Sequence, residues 1–124
     1  MMRCPCRKKS ETTRYEDCCG RFHSGAADAP TAEALMRSRY AAFVRQDADY
    51  LLRTWHASTR LVHVAFPPDQ QWLLLRIVQS TSEGDTATVE FVARSRISGR
   101  SHVLHEVSRF VREDGRWFYL DGEP

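Results

Sequence analysis

Residues 72–120 read WLLLRIVQSTSEGDTATVEFVARSRISGRSHVLHEVSRFVREDGRWFYL, and this stretch decides the fold. Four segments of it are rich in β-branched and aromatic residues, which favour strands. We predict strands at Trp72–Thr81, Thr86–Ile97, His102–Val111 and Arg116–Leu120. Each separator contains a glycine beside small or charged residues, as hairpin turns do. The pattern therefore predicts a four-stranded antiparallel meander.

The sequence before this sheet has the spacing of helices. Thr31 suits an N-cap, and apolar residues follow it every three to four positions, which predicts a helix over 31–45. A shorter helix is predicted over about 48–56, and Leu61–Val64 has the composition of a short strand. Helices followed by a meander predict an α+β fold, with N-terminal helices on one face of a curved antiparallel sheet of four or slightly more strands.

All four cysteines of the chain fall within its first nineteen residues, at Cys4, Cys6, Cys18 and Cys19. Four thiols in a polar segment too short to build a core are typical of a tetrahedral zinc site, because the metal then supplies the folding energy. Unmetallated thiols and a redox-active pair are the alternatives, although redox pairs usually read Cys-x-x-Cys. His23 lies four residues after Cys19 and is an alternative ligand.

Length and charge limit the classes of protein to which the chain can belong. Its 124 residues, 42% of them hydrophobic, suit one ordinary domain plus an appendage. We predict a metal knuckle over 1–23, a linker over 24–30 and a domain over 31–124. The net charge of +2 argues against a strongly basic nucleic-acid face. No apolar run suits a signal peptide or a membrane span, so we expect a cytoplasmic protein with no membrane contact.

Three charged residues are candidates for a site inside the domain. Arg39 lies on the apolar side of the first helix, and Glu90 and Glu106 lie mid-strand, where glutamate is unfavourable. A buried arginine needs a carboxylate, so we predict that Arg39 pairs with Glu106 or Glu90. The pair is either a structural ion pair or a floor that binds a small anionic ligand. His105 neighbours Glu106 and must point to the opposite face, which argues against a catalytic His–Glu pair.

Two resemblances follow from these residues. Cys4-Pro5-Cys6 with Cys18-Cys19 resembles the SEC-C motif, a zinc knuckle of many bacterial proteins. Nearly the whole chain is similar to the YchJ family of small bacterial proteins of uncharacterised function. The segments that carry this similarity are Cys18-Cys19-Gly20, His23-Ser24-Gly25, Leu35–Tyr40, Tyr50-Leu51, Thr54–His56, Glu90-Phe91, His105–Phe110, Gly115–Trp117 and Asp121-Gly122.

The YchJ resemblance implies a domain like that of nuclear transport factor 2, a cone of helices against a bent antiparallel sheet. We therefore expect a non-catalytic protein whose zinc knuckle contacts a protein partner and whose cone contains a small-molecule pocket. The alternative is a small-molecule enzyme, with Glu106 or Glu90 as general base and Arg39 holding an anionic substrate. Fold alone does not decide between them.

Overall fold

The computed structural model describes residues 2–7 and 11–124, in which helices come first and the sheet second. A short 3-10 helix at Tyr15–Asp17 precedes three α-helices and four strands. These elements are α1 (Cys19–His23), α2 (Ala32–Arg45), α3 (Ala48–Arg53), β1 (Gln70–Glu83), β2 (Thr86–Ile97), β3 (Arg100–Glu113) and β4 (Arg116–Glu123). The strands form one open antiparallel sheet in the order β1-β2-β3-β4, which confirms the predicted α+β fold.

Local hydrogen bonds explain where the two main helices begin and end. The Oγ1 atom of Thr31 accepts a hydrogen bond from the Ala34 amide at 3.0 Å, and the helix ends at Gln46, whose φ is 57°. The Asp47 side chain caps α3 in the same way. This second helix is shorter than predicted, because Trp55 leaves it to form a parallel bridge with β4.

Strand β2 has the predicted bounds, and the other three strands are longer than predicted. Strand β3 gains residues at both ends because the turns on either side of it are as tight as β-hairpins allow. Ser98 and Gly99 join β2 to β3, and Asp114 and Gly115 join β3 to β4, all four with positive φ. The remaining residues of each separator pair across the ladder.

The expected strand at Leu61–Val64 was wrong. This segment has a strand's composition but no neighbouring ladder to join, and Val62 is 95% exposed.

The sheet has two unlike faces. Its inner face packs against α2 and buries alternate residues of β2, among them Val89, Phe91 and Ala93, together with Phe110 of β3. The side chains between them form the outer face, which is more exposed. None of the helices in residues 2–7 and 11–124 has the length and apolarity needed to cross a membrane.

The cysteine segment packs on the helices of the domain. Phe22 and the four cysteines belong to the same buried cluster as the helix residues. Arg37 donates to the Cys6 carbonyl at 2.9 Å, and Arg53 donates to the carbonyls of Phe22 and His23 at 3.1 and 2.8 Å. The predicted boundaries at 23, 30 and 31 stay a prediction, and residues 1 and 8–10 of the predicted knuckle lie outside the described residues.

Candidate functional site

The four cysteine sulfurs form a compact cluster. All lie within 4.8 Å of one another, are buried and form no disulfide. The Sγ–Sγ distances are 3.6 Å from Cys4 to Cys6, 3.6 Å from Cys6 to Cys18 and 3.9 Å from Cys18 to Cys19. A tetrahedron with metal–sulfur bonds of about 2.3 Å has edges of about 3.8 Å. The cluster therefore has the donor set and the spacing to hold a metal ion.

The backbone brings the two cysteine pairs together through a small antiparallel ribbon. The Cys4 amide donates to the Thr13 carbonyl, and the Tyr15 amide donates to the Met2 carbonyl, both at 2.9 Å. A sharp turn at Cys18, with φ −124° and ψ −110°, lets Cys18 and Cys19 both point into the cluster. This turn is the backbone change that adjacent cysteine ligands require.

Gly20 is required by the same turn. A Cβ atom at this position would lie 2.8 Å from the Tyr15 carbonyl oxygen and 3.0 Å from the tyrosine ring. Backbone oxygen cannot move aside as a flexible side chain can, so a larger residue would force the ribbon and α1 apart. The glycine after the cysteine pair is thus explained by close packing.

The ionisation of the thiols shows why the cluster favours a cation. Hydrogen bonding with Cys19, and then with Cys6, lowers the pKa of Cys4 to about 2. The pKa of Cys19 is raised, first by its hydrogen bonds with Cys4 and Cys6 and then by burial. Contact with Cys18 raises the pKa of the neighbouring Arg7 guanidinium, which keeps it charged. Adjacent thiols oppose one another's ionisation, and a bound cation relieves that opposition.

His23 lies against the helices. Its Nδ1 is 2.6 Å from the Tyr15 hydroxyl and its Nε2 is 2.8 Å from the Ser38 carbonyl oxygen. Its ring lies 4.5 Å from the Tyr50 ring, and the Tyr50 hydroxyl is 2.6 Å from Ser38 Oγ. Metal ligation by His23 stays a prediction, but both of its ring nitrogens already have partners. Among the residues that the structure describes, the cluster consists of the four cysteines.

Arg39 is buried without the predicted carboxylate partner. Its Nη1 donates to the Leu51 carbonyl and to Thr54 Oγ1, both at 2.8 Å. Its guanidinium carbon lies 4.5 Å from the centre of the Tyr119 ring and 5.4 Å from that of the Trp55 ring. Burial lowers the pKa of Arg39 to about 10. A carbonyl, a hydroxyl and two aromatic faces stabilise the cation in place of an ion pair.

The predicted ion pair of Arg39 with Glu106 or Glu90 was therefore wrong, since no carboxylate in residues 2–7 and 11–124 makes a salt bridge with this arginine. Glu90 lies on the outer face, where its Oε2 is 2.7 Å from Nε2 of His105. Glu106 lies on the inner face, and its Oε2 accepts hydrogen bonds from Ser108 at 2.5 Å and Tyr119 at 3.4 Å. Only Glu106 shares the interior with Arg39.

The cavity between α2 and the inner face has two adjacent chambers that share part of their lining. The inner chamber, about 130 Å³, is lined by Arg39, Glu106, Ser108 and Tyr119 among others. The outer chamber, about 240 Å³, is mostly apolar and aromatic. Both chambers share the lining residues Met36, Phe43, Phe91 and Leu104. The cavity thus has a polar inner end and an apolar outer end.

Sequence reasoning named Arg39 and Glu106 but did not name Ser108 or Tyr119 as site residues. Ser108 lies two residues after Glu106 on the same strand face, and Tyr119 pairs opposite Phe110 on that face. Polar side chains in one stripe of the inner face were the signal that could have found both residues. The contact of Arg39 with Trp55 had no such signal, because it depends on how α3 ends.

Fold and site together define an α+β domain of the nuclear transport factor 2-like type that carries a cysteine cluster at its N-terminal side. The family model described as "YchJ, middle NTF2-like domain" matches residues 31–122. The chain therefore belongs to the YchJ family. Together with the solved SEC-C neighbours described below, this confirms the predicted family with its SEC-C-like element.

Relatives and solved structures agree with this assignment. A UPF0225 protein of Methylibium petroleiphilum is 55% identical over 122 residues, covering 97% of this chain and 87% of that protein. A UPF0225 protein of Bordetella pertussis is 54% identical over 124 residues, covering 97% and 91%. The solution structure of a SEC-C motif containing protein from Rhodopseudomonas palustris has a TM-score of 0.87 at 37% identity and covers 98% of both chains. The crystal structure of a SEC-C motif containing protein from Psychrobacter arcticus has a TM-score of 0.77 at 27% identity, covering 98% of this chain and 81% of that one.

Proposed function

We propose that this chain is a cytoplasmic, non-catalytic protein with two parts. Its cysteine cluster is a structural zinc site in a knuckle that contacts a protein partner, and its domain binds a small molecule between α2 and the sheet. The observation that carries the proposal is the set of Sγ–Sγ distances of 3.6–3.9 Å among buried cysteines. These distances match four thiolates around one zinc ion.

Zinc suits this donor set better than harder ions do. Thiolates select zinc, copper(I) and iron–sulfur clusters over magnesium or calcium, and four protein ligands leave no open position for a substrate. A zinc ion with four thiolates carries a net charge of −2, and the Arg7 guanidinium beside Cys18 offsets part of it. The SEC-C motif in the names of the two solved neighbours supports the same site.

Metal analysis of purified protein tests the zinc site. We expect about one zinc per chain by mass spectrometry when the protein is prepared without added metal, and four reactive thiols after the metal is removed. Cys4→Ser and Cys19→Ser should each abolish high-affinity binding, while His23→Ala, the matched control, should keep it. Two disulfides and no metal would contradict the site. Zinc retained in Cys19→Ser but lost in His23→Ala would make His23 the fourth ligand.

Partner contact through the knuckle is supported by its exposed residues. Met2 is 60% exposed, and Arg3 and Arg21 are also exposed. An apolar side chain with nearby cations suits a protein surface better than bulk water. A photo-crosslinking residue at Met2 should give one discrete adduct in cells, and the same residue at the exposed Val62 of the domain should not. Equal labelling at both positions would reject the knuckle as the contact.

An enzyme is the second candidate, because the Glu106 carboxylate and the Arg39 guanidinium line one chamber. In that case Glu106 would remove a proton from a substrate that Arg39 holds. Incubation with a metabolite extract separates the two functions. Consumption of a compound by the wild type but not by Glu106→Gln would favour the enzyme, whereas a compound bound and recovered unchanged favours the binding protein.

A further inference from the structure

The inner chamber offers both a hydrogen-bond donor and a hydrogen-bond acceptor that the protein leaves partly free. Within the described part of the chain, Arg39 uses only Nη1 for hydrogen bonds. Glu106 uses Oε2, which accepts from Ser108 and Tyr119. The remaining donors of Arg39 and the other oxygen of Glu106 are therefore available to a ligand.

The Arg39 guanidinium and the Glu106 carboxylate give the chamber no net charge, although the two groups are not in contact. Arg39 contributes one positive charge and Glu106 one negative charge, and the two lie beyond the 4.0 Å of an ion pair. A ligand with a net charge would leave one of them facing a like charge in a partly desolvated space. A neutral group that accepts from Arg39 and donates to Glu106 satisfies both. The expected anionic ligand is disfavoured because Glu106 faces the same chamber.

The outer chamber is suited to an aromatic ring. The rings of Tyr40 and Trp72 have centroids 5.5 Å apart, and Phe43 lies 6.1 Å from Trp72 and 6.2 Å from Phe66. These edge-on and tilted contacts surround an apolar volume of about 240 Å³. Aromatic side chains favour a planar apolar guest in offset or edge-to-face contact.

We propose that the cavity binds a small aromatic carboxamide, with its C=O toward Arg39, its N–H toward Glu106 and its ring in the outer chamber. This inference rests on the proposed small-molecule function and names its ligand class. Ser108 and Tyr119 are positioning residues, because they hold Oε2 of Glu106 and leave the other oxygen to the ligand. Gly122 contributes space, since a Cβ there would overlap the Glu106 carboxylate.

Three probes with one tail and different head groups test the ligand class: phenylacetamide, phenylacetate and phenethylammonium. Each is titrated into the full, zinc-loaded chain by NMR and calorimetry. We expect the amide to bind about tenfold more tightly than either charged probe, with shifts at Phe43, Trp72 and Glu106. Glu106→Gln should raise the affinity for phenylacetate at least about tenfold, because the chamber then carries a net positive charge. Glu90→Gln, the matched change on the outer face, should alter no affinity.

Each of the other outcomes would overturn a defined part of the proposal. Tightest binding of phenylacetate or phenethylammonium in this cavity rejects the carboxamide but keeps the small-molecule pocket. Binding of none of the probes, with no binder in a wider screen of the wild type, rejects the pocket as well. If Glu106→Gln does not fold, Trp72→Leu gives the second test. This change should lower the affinity for phenylacetamide, because the ligand ring loses its contact with the indole. An unchanged amide affinity in Trp72→Leu would reject the assigned pose.

Discussion

The two polar centres of this molecule are built in opposite ways. The cysteine cluster draws all its residues from positions 4–19, and hydrogen bonds within it lower the pKa of Cys4 and raise that of Cys19. The cavity floor draws Arg39 from α2, Glu106 from β3 and Tyr119 from β4, and its charges are already balanced by protein groups. The donor set of the first centre suits a bound metal ion, whereas the second is held together by groups of the fold itself.

This difference predicts that the two centres respond separately to metal and to mutation, except through the contacts that join the cysteine segment to the helices. His23 belongs to α1, which begins at Cys19, and it contacts Ser38 beside Arg39. Tyr50 joins the same network through its ring and its hydroxyl. Metal loss should therefore disturb the helices under the knuckle first and the far end of the sheet last.

Metal removal should give the largest effect. Structural zinc in small knuckles contributes about 10–16 kcal/mol of apparent binding free energy. The contacts of this short segment with the helices are few by comparison. With a strong chelator, amides of residues 2–7 and 11–23 should lose hydrogen-exchange protection, and the melting temperature of the domain should fall because Phe22 and Tyr50 lose packing. Re-addition of zinc should restore both. Full protection of this segment in metal-free protein would contradict the expectation.

A chain that begins at Pro30 sharpens the same comparison. Residues 24–30 are small and include Gly25 and Pro30, as linkers do, which predicts that the domain melts cooperatively without the knuckle. The shortened chain loses the contacts of His23 with Ser38 and Tyr50. We therefore expect it to melt at a lower temperature than the full zinc-loaded chain. Thermal melts of the full chain and of the shortened chain test both expectations. Loss of a cooperative transition in the shortened chain would show that the knuckle and the domain share one core.

Replacing Arg39 comes next in size. Arg39→Met leaves the Leu51 carbonyl and Thr54 hydroxyl with fewer donors and removes a cation from two aromatic faces, which should cost about 2–4 kcal/mol of unfolding free energy. Because Arg39 and Glu106 form no ion pair but share one chamber and the Tyr119 side chain, the double change with Glu106→Gln should recover only a small part of the single costs, about 0.5–1 kcal/mol. Denaturant melts measure both. Strong recovery in the double variant would reveal a direct pair.

The contacts of His23, which join the knuckle to the helices, should make the stability of the protein depend on pH. Burial lowers the pKa of His23, so the folded state resists a proton that the unfolded state takes up below about 6.5. Stability should thus fall as pH drops below about 6.5, by at most about 1.4 kcal/mol per pH unit. The groups facing this ring are Tyr15, Ser38, Arg45, Asp47 and Tyr50. In zinc-loaded protein, the slope of unfolding free energy against pH should be smaller for His23→Gln than for the wild type. An unchanged slope would exclude His23 as the cause of the pH dependence.

The smallest effect is expected at Glu90. Its pair with His105 is on the outer face and partly exposed, so Glu90→Gln should change unfolding free energy by less than about 1 kcal/mol. The same change at Glu106 removes a charge that Ser108 and Tyr119 hydrogen-bond, and should cost more. Paired denaturant melts of the two variants compare the faces directly. Equal costs would mean that the inner position is no more constrained than the outer one.

The elements that sequence predicted best depend on local periodicity. Thr31 as a cap, the helix to position 45 and the glycine turns of the meander are properties of a few neighbouring residues, and they were confirmed. The cysteine cluster was also predictable, because its residue types are rare and close together in the chain. Short-range chemistry thus determined the framework and the residues of the cysteine cluster.

Contacts between distant elements were beyond sequence reasoning. The argument that a buried arginine needs a carboxylate failed at Arg39, because a helix carbonyl, a hydroxyl and two ring faces supplied the negative potential instead. The ring contacts depend on Trp55 leaving α3 to pair with Tyr119. The expected strand at Leu61–Val64 failed for a related reason, since composition cannot supply a neighbouring ladder.

The pairing of β1 with β2 has a consequence for solutions at high concentration. This edge strand is fourteen residues long, but its ladder is irregular between Trp72 and Leu74 and again between Ile77 and Gln79. A straight, flat edge would offer a second molecule a template for strand-by-strand growth into fibres. Irregularities of this kind increase the local twist, so successive amides along the edge no longer lie in one plane. The two irregularities therefore make this edge a poorer template for a second molecule than a straight edge of the same length would be.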